Sequence, residues 1–567
     1  MKLDLQTVPF SRFGAYLAFS LMAERVGHPA GLYLRSVHGG HATYAGPALR
    51  FELLIDGQPA PFTVDASASV LNLVHPSGRV QICMPEPEHI RLRGQQAGLR
   101  ISAPAGTFDY LFQVDEQHWQ INHASWGTQF ILTNLLGNWR MNSPWHGVRA
   151  EHLQVDFQPG PDGQFEAAIE EVETVWRPHG YPQSFDEAVE TVMADFLSFR
   201  SAAPDLPEEY AEACDLAAYI NWSSIVEPSG HLNWPAMLMS KNWMNSVWSW
   251  DHCFNAMALT YNRPVLAWDQ IRVIFDMQDM YGELPDLVND RSVVWNFVKP
   301  PIHGWTLSWM MERTNFIRKE QLHQMYGPLC RWTEWWFSYR DYDRDGIPQY
   351  HHGNDSGWDN ATPFKVGVPL ESPDLCAFLI LQMETLARMA ARLGNQEEAE
   401  SWQRRSEQLL DKMLAHFWQD DHFVAMRSGD HLVADSESLF LYLPLILGKR
   451  LPLPVRRELI AGLTRPGRFL TPFGLATESP QSPDYQPDGY WRGPIWAPST
   501  LLIVEGLAAC GELDLARDIA RRFCDMAARS GFAENFDALT GAGLRDRAYT
   551  WTASVFLVLG HEYLLKK

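Results

Sequence analysis

A chain of 567 residues is longer than one hydrophobic core usually organises, so two domains are the starting expectation. Its 46% hydrophobic and 20% charged residues are ordinary for a globular protein, but 23 Trp, 18 Tyr and 29 Phe are a heavy aromatic load. A formal net charge of −22 argues against nucleic acid or an anionic membrane as partner, since both require basic patches.

Residues 1–182 read as β-structure. Short alternating or β-branched segments occur at 32–36, 49–55, 62–64, 80–84, 89–92, 110–114, 119–121, 129–132 and 153–157, with a last strand over 164–176. Gly, Pro, Asp and Asn punctuate them, as in Asp56-Gly57 and Pro159-Gly160. Many short strands with regular turns predict an antiparallel β-sandwich. From residue 183 the periodicity becomes helical, over 185–200, 207–221, 251–261, 265–280, 303–314, 319–339, 374–394, 396–418, 436–447, 454–464, 496–511, 513–530 and 550–564. Gly394 followed by Asn395 marks a helix C-cap between two members. Consecutive helical hairpins without a fixed sequence period predict an (α/α)6 toroid over 183–567 rather than a solenoid. The fold class is therefore α+β and multidomain.

Four stretches combine Trp with carboxylates or amides: Asn242–His252, His351–Phe364, Asp488–Pro498, and Phe532–Asp537 with Tyr549–Ala553. Each falls at the start of a helical segment or between two, where a rigid scaffold presents binding groups. Trp faces suit the C–H faces of a sugar ring, although large helical cores also use many aromatics. Cleaving a glycosidic bond needs two carboxyl groups, one to protonate the leaving oxygen and one to activate water or attack directly. Asp251, Asp355, Asp359, Asp374, Asp488, Glu534 and Asp537 are the candidates, and spacing alone does not choose among them. Asp359, after Trp358 and Gly357, suits a water-poor pocket that raises a carboxyl pKa. Capping or loop hydrogen bonding competes with catalysis as the reading of each acid, most strongly for Asp251 and Asp374 at helix starts.

Residues 243–564 resemble the clan of α/α-toroid glycoside hydrolases containing trehalases, processing α-glucosidases and the mannosylglycerate and glucosylglycerate hydrolases, nearest to glycoside hydrolase family 63. Five ordered motifs carry the resemblance: Trp248-Ser-Trp-Asp251, Lys299-Pro-Pro-Ile302, Ser356-Gly-Trp-Asp-Asn360, Tyr490-Trp-Arg-Gly-Pro-Ile-Trp496, and Glu534-Asn-Phe536 with Trp551-Thr-Ala553. The resemblance implies Asp359 as general acid and Glu534 as the base that activates water, with inversion at the anomeric carbon. It implies that Trp250, Asp251, Trp358, Asn360, Tyr490, Trp491, Arg492, Trp496 and Trp551 bind the sugar. Two departures from trehalases, Ser240-Lys-Asn-Trp243 and Phe297-Val-Lys299, point away from trehalose. The expected substrate is an α-glucoside, either a disaccharide or a small glucosyl conjugate. Lys241, Lys299 and Lys365, beside the motifs, could meet an anionic aglycone.

A sugar phosphorylase is the enzyme alternative, with His351 and His352 as its clustered anion-site residues. A catalytically silent sugar-binding protein is the other, although it has no need of both Asp359 and Glu534. The β-rich half is expected to shape the site mouth through 122–145, which holds Trp126, Trp139 and Trp145. No cofactor or structural metal is expected: the seven cysteines lack ligand or disulfide spacing. Asp341, Asp343 and Asp345 before Gly346 have the spacing of a calcium loop, but no clear closing Glu follows, and a solvated acidic turn is the favoured reading. The start of the chain lacks a signal-peptide pattern and no apolar run is of membrane-spanning length, so the expected location is the cytoplasm.

Overall fold

The computed structural model describes residues 1–25, 28–40, 48–124 and 127–565. Two compact units emerge, the first comprising Met1–Ser201, Ala218–Glu227 and Ser240–Asn245, the second Ala202–Ala217, Pro228–Met239 and Ser246–Lys567.

The first unit holds two antiparallel sheets. One runs in the order Leu17–Met22, Gly31–Ser36, Leu49–Ile55, Gly98–Pro104, His152–Gln158, Asn138–Met141. The other runs Tyr110–Gln113, His118–His123, Thr128–Leu136, Gln164–Val172, His89–Gln95, Gly78–Glu86, Leu71–His75, Thr63–Ala66. Period-two burial shows which face of each strand is covered: Leu99 and Ile101, or Leu153, Val155 and Phe157, are buried. Aromatics join the sheets. Phe157 of the first stacks on Phe165 of the second at 6.1 Å, and Trp119 meets Trp139 at 4.0 Å. Helix α1 (Phe185–Ser201) lies on the strand Gly78–Glu86 and is fixed there by Arg93, which pairs with Asp186 and covers the Phe185 ring. Most of 122–145 is strand rather than loop, and Trp126 lies outside the described residues.

Helix α2 spans Ala211–Ser224. The second unit then continues through α3 (Asp251–Leu259), α4 (Pro264–Phe275), α5 (His303–Arg313), α6 (Lys319–Tyr339), α7 (Pro373–Leu393), α8 (Gln396–Phe417), α9 (Leu453–Thr464), α10 (Ala497–Cys510), α11 (Leu513–Ser530) and α12 (Thr550–Leu559). Contacts run α3 to α5 to α7, on to the segment Leu439–Arg450, then α10 and α12, and close from α12 back to α3. That closed circuit is the inner ring of an (α/α)6 toroid. Its members are largely apolar all round; every residue of α3 and α12 is buried. Outside it, α4, α6, α8, α9 and α11 pack behind inner members. An outer helix such as α11 buries one stripe, Ala516, Ile519, Ala520, Phe523 and Ala527, at helical spacing.

One inner member departs from the α-helix expected over 436–447. Leu439–Arg450 winds as 3-10 turns, with Pro444 inside and Gly448 at φ 57°. Proline supplies no N–H and clashes with the preceding turn, so an α-helix cannot run undisturbed through it.

Inner helices also approach closely. A Cβ on Gly304 of α5 would lie 2.4 Å from Gln382 Cα of α7, while Thr385 donates to the Gly304 carbonyl at 2.9 Å. We expect Gly304→Ala to cost about 1–3 kcal/mol by overpacking. The check is a lower urea midpoint at unchanged m-value; an unchanged midpoint would show that α5 and α7 can separate freely.

Candidate active site

Every motif segment but the Glu534 loop precedes an inner helix, the 351–360 loop with a 3-10 turn and a short strand between. Asp251 opens α3, Lys299 leads into α5, the 351–360 loop into α7, Trp496 into α10, and Tyr549 into α12. The inner helices therefore gather their N-terminal ends, and with them the motif residues, on one side of the ring.

The floor is aromatic. Trp491 and Trp496 stack at 4.0 Å with 6° between planes, and Trp358 joins Trp491 at 4.6 Å. Trp551 meets Trp496 at 5.4 Å and Trp250 at 6.0 Å, both edge-on. All five indoles are at most 3% exposed, so they underlie the site more than they face solvent. Gly357 makes this packing possible. It sits at φ 72°, and a Cβ there would lie 2.5 Å from the Trp250 ring.

Three carboxyl groups adjoin those indoles: Asp251 and Asp359 directly follow Trp250 and Trp358, and Trp551 Nε1 donates to the Glu534 carbonyl at 3.4 Å. Burial pushes Asp251 well above the usual carboxylate range, with Lys299 opposing the rise. Burial likewise raises half-buried Asp359, against the pull of Lys299 and with a push from Asp286. Glu534 is pushed up to about 7 by burial first and Asp546 second, while Arg545 and a hydrogen bond from Tyr490 oppose. The half-buried Tyr490 links the three: its hydroxyl bonds to Glu534, and it feels the charges of Asp359 and Asp251. It holds φ 63°, a left-handed backbone uncommon for a non-glycine residue, and Trp496 Nε1 donates to its carbonyl at 2.9 Å.

The other sequence candidates are engaged in scaffolding. Asp355, 1% exposed, accepts from Arg340 at 2.7 Å, the His351 N–H at 2.8 Å and the Val298 N–H at 3.2 Å. Asp374 accepts from the Tyr350 hydroxyl at 2.9 Å and from Ser372. Asp537 caps the Leu539 and Thr540 N–H groups, and exposed Asp488 pairs with Arg545. Asn360 donates to the Gly489 carbonyl and accepts from the Trp491 N–H, each at 3.0 Å, which ties the Asp359 loop to the Tyr490 loop. Arg492 is paired with Asp484 at 3.2 Å.

The lysines singled out for an anionic aglycone all have partners. Lys241 is buried in the N-terminal unit and donates to Ser11 and Arg12. Lys299 pairs with Asp286 at 2.9 Å and donates to the Asn354 carbonyl at 2.8 Å. Lys365 pairs with Asp484. Lys299 nevertheless acts on Asp251 and Asp359, and the cation that acts on Glu534 is Arg545, which sequence reading passed over. It lies 4.9 Å over the Tyr490 ring and lowers the Glu534 pKa. Its place between the Glu534 and Trp551 motifs was the available signal. His351 is held neutral, with its pKa lowered to about 4 by burial and Arg340, which disfavours an anion site there. The carboxylates of Asp341, Asp343 and Asp345 lie within 4.8 Å of one another. No helix among the described residues is long and apolar enough to cross a membrane.

A family model for the mannosylglycerate hydrolase MGH1-like glycoside hydrolase domain matches residues 244–552, more than half of the chain and all of the motif segments up to Thr552. The chain belongs to this glycoside hydrolase family. Mannosylglycerate hydrolase of Thermus thermophilus is 23% identical over 392 residues, 55% of this chain and 93% of that one. Glucosylglycerate hydrolase of Mycolicibacterium hassiacum is 23% identical over 408 residues, 55% of this chain and 91% of that one. A bacterial glucoamylase solved with acarbose superposes with a TM-score of 0.64 at 9% identity, over 99% of this chain and 94% of that one. At that identity the likeness is one of fold, and it extends across both halves. Membership of the family bears out the expected clan, the toroid fold and the reading as a glycosidase.

The partners of Asp355 and Asp359 predict opposite behaviour within this family fold. Asp355→Ala leaves the Arg340 guanidinium buried and unpaired, at a cost of about 3–5 kcal/mol. Asp359→Asn should leave the melting temperature nearly unchanged. Thermal unfolding of both variants checks this, and a stable Asp355→Ala protein would remove Asp355 from its scaffolding place.

Proposed function

We propose that the chain hydrolyses an α-linked glucoside of a small aglycone of the glycerate class, with inversion, using Asp359 as general acid and Glu534 as general base. The observation that carries this reading is the convergence of Asp251, Asp359 and Glu534 on the single residue Tyr490, beside the buried indoles. The aglycone class is supported by the mannosylglycerate and glucosylglycerate hydrolases among its relatives. Glucose and mannose are told apart by the substrate panel below.

Asp359, whose protonated form burial favours, gives its proton to the glycosidic oxygen as the bond from that oxygen to the anomeric carbon breaks. Glu534, ionised, takes a proton from the water that attacks the opposite face. Tyr490 holds the Glu534 carboxylate in orientation by donating to it. Arg545 favours its charged form, offsetting the Asp546 charge that opposes ionisation. Asp251, at the α3 N-terminus, accepts sugar hydroxyls.

The roles fix the sign of the pH dependence. Glu534 must be ionised, and its pKa is raised to about 7, so the active fraction falls as pH drops through 7. Asp359 must be protonated, and its raised pKa extends activity upward from the acid range. The acid limb of kcat/KM should therefore lie near 7; a limb between about 4 and 5 would show an ordinary carboxylate and a different base.

Asp359→Asn and Glu534→Gln should each lower kcat by about 10²–10⁴-fold while sugar binding and folding persist. Proton NMR of the wild type with glucosylglycerate, mannosylglycerate, kojibiose, nigerose and trehalose should show the β-anomer first, with a glycerate conjugate turned over fastest. The α-anomer first would overturn inversion, and turnover retained in either variant would remove that residue from its role.

A further inference from the structure

A second constellation in the toroid unit has no part in the chemistry above. Asp345 follows α6, Glu371 ends the short strand Leu370–Glu371, His416 lies in the last turn of α8, and His431 follows the strand Met426–Arg427. One ligand-type atom from each lies within 4.8 Å of the others.

The distances have a recognisable scale. His416 Nε2 is 2.8 Å from Glu371 Oε2, and His431 Nε2 is 3.6 Å from the same oxygen. His431 Nε2 is also 3.9 Å from Asp345 and 3.5 Å from Asp343. Ligands about 2.0–2.2 Å from one tetrahedral ion stand about 3.3–3.6 Å apart. Within the set, the His431–Glu371 distance has that length, His431–Asp345 is slightly longer, and His416–Glu371 is closed to hydrogen-bond length.

Glu371 supplies an independent indication. It is 0% exposed, and its Oε1 has no hydrogen-bond partner among the described residues. A buried carboxylate oxygen without a donor is costly unless a cation completes it. Nearby donors are directed elsewhere: Lys412 donates to the Asp345 backbone carbonyl, and the Ile347 N–H takes one Asp345 oxygen at 2.7 Å. Asp343 accepts from Gly429 and Ser428.

We propose that Asp345, Glu371, His416 and His431 form a binding site for one first-row transition-metal dication, with zinc the best fit. Two imidazoles and two carboxylates suit zinc, cobalt or nickel, whereas calcium takes an all-oxygen shell. The neighbouring Asp341 and Asp343 contribute charge and a hydrogen-bonded outer layer. The ion is structural. It ties α8 and the 428–431 turn to the strand at Glu371, and α7 with Asp374 begins two residues beyond that strand. This site is independent of the substrate proposed above.

The test uses the full chain, stripped with chelator and titrated with Co²⁺. We expect visible d–d absorption saturating at about one Co²⁺ per chain, abolished by equimolar Zn²⁺ and unaffected by a roughly hundredfold excess of Ca²⁺. His431→Ala, at a half-exposed position, should weaken Co²⁺ binding at least about tenfold while the metal-free protein keeps its circular dichroism and melting temperature. His416→Gln should do the same. Absence of stoichiometric binding, displacement by Ca²⁺, or unchanged affinity in folded His431→Ala and His416→Gln would each overturn the site. In those cases the imidazoles are ion-pair partners of the carboxylates.

Discussion

Desolvation of carboxyl groups is the constraint around which the toroid half is organised. A carboxylate taken out of water loses hydration that no single neighbour restores, so its protonated form gains. Asp251 shows how far this goes. It opens α3, where the helix dipole favours an anion by about 0.3–1 kcal/mol and by about 2 kcal/mol in the best buried cases. Its pKa nevertheless stands well above the usual range. For Glu534 the rise from 4.5 to about 7 is on the order of 3 kcal/mol against the ionised form. Burial wins in both places.

The same constraint separates the carboxyl groups proposed for catalysis from those that build the scaffold. Asp355 is as buried as any, yet three donors, one of them the Arg340 guanidinium, complete its shell. A saturated carboxylate is a rivet, because its lone pairs are taken and its charge is neutralised in place. Asp359, four residues along the same loop, has charged neighbours at a distance but no comparable set of donors. Loop geometry enforces the division. Gly357 turns left-handed against the Trp250 ring, and Asn360 then anchors the far side to Gly489 and Trp491, so Asp359 is held between two fixed points.

Much of this was legible in the residues because periodicity survives folding. The strands at 49–55, 153–157 and 164–172, and most of the helices, lie where alternation or helical spacing put them. The strands Leu17–Met22, Leu71–His75 and Gly98–Pro104 escaped notice, since an apolar run such as Leu-Ala-Phe-Ser-Leu-Met has no clean alternation and is buried over most of its length. Within the site, the convergence of motifs was readable from their order before inner helices. The engagement of individual side chains was not. Nothing local tells that Lys365 reaches Asp484 across the fold, or that Trp358 is wholly covered. Arg545 carried only the weak signal of lying between two motifs, because its importance comes from lying over Tyr490, a neighbour in space and not in sequence.

Lys299 shows how such neighbours share control of one proton. It is 4% exposed, paired with Asp286, and held by the Asn354 carbonyl next to Asp355. Its charge lowers the pKa of both Asp251 and Asp359, while Asp286 raises both. The pair thus acts on Asp359 in opposite directions, with desolvation the largest single influence. An ammonium suits this place better than a guanidinium, since a compact point charge fits between two oxygens and needs no planar fork of acceptors. Removing the lysine would take away the positive charge that offsets Asp286, and the remaining negative charge would raise the Asp359 pKa further. On the proposed assignment of Asp359 as general acid, Lys299 and Asp286 pull its pKa in opposite directions, and Lys299 moderates the rise that burial imposes.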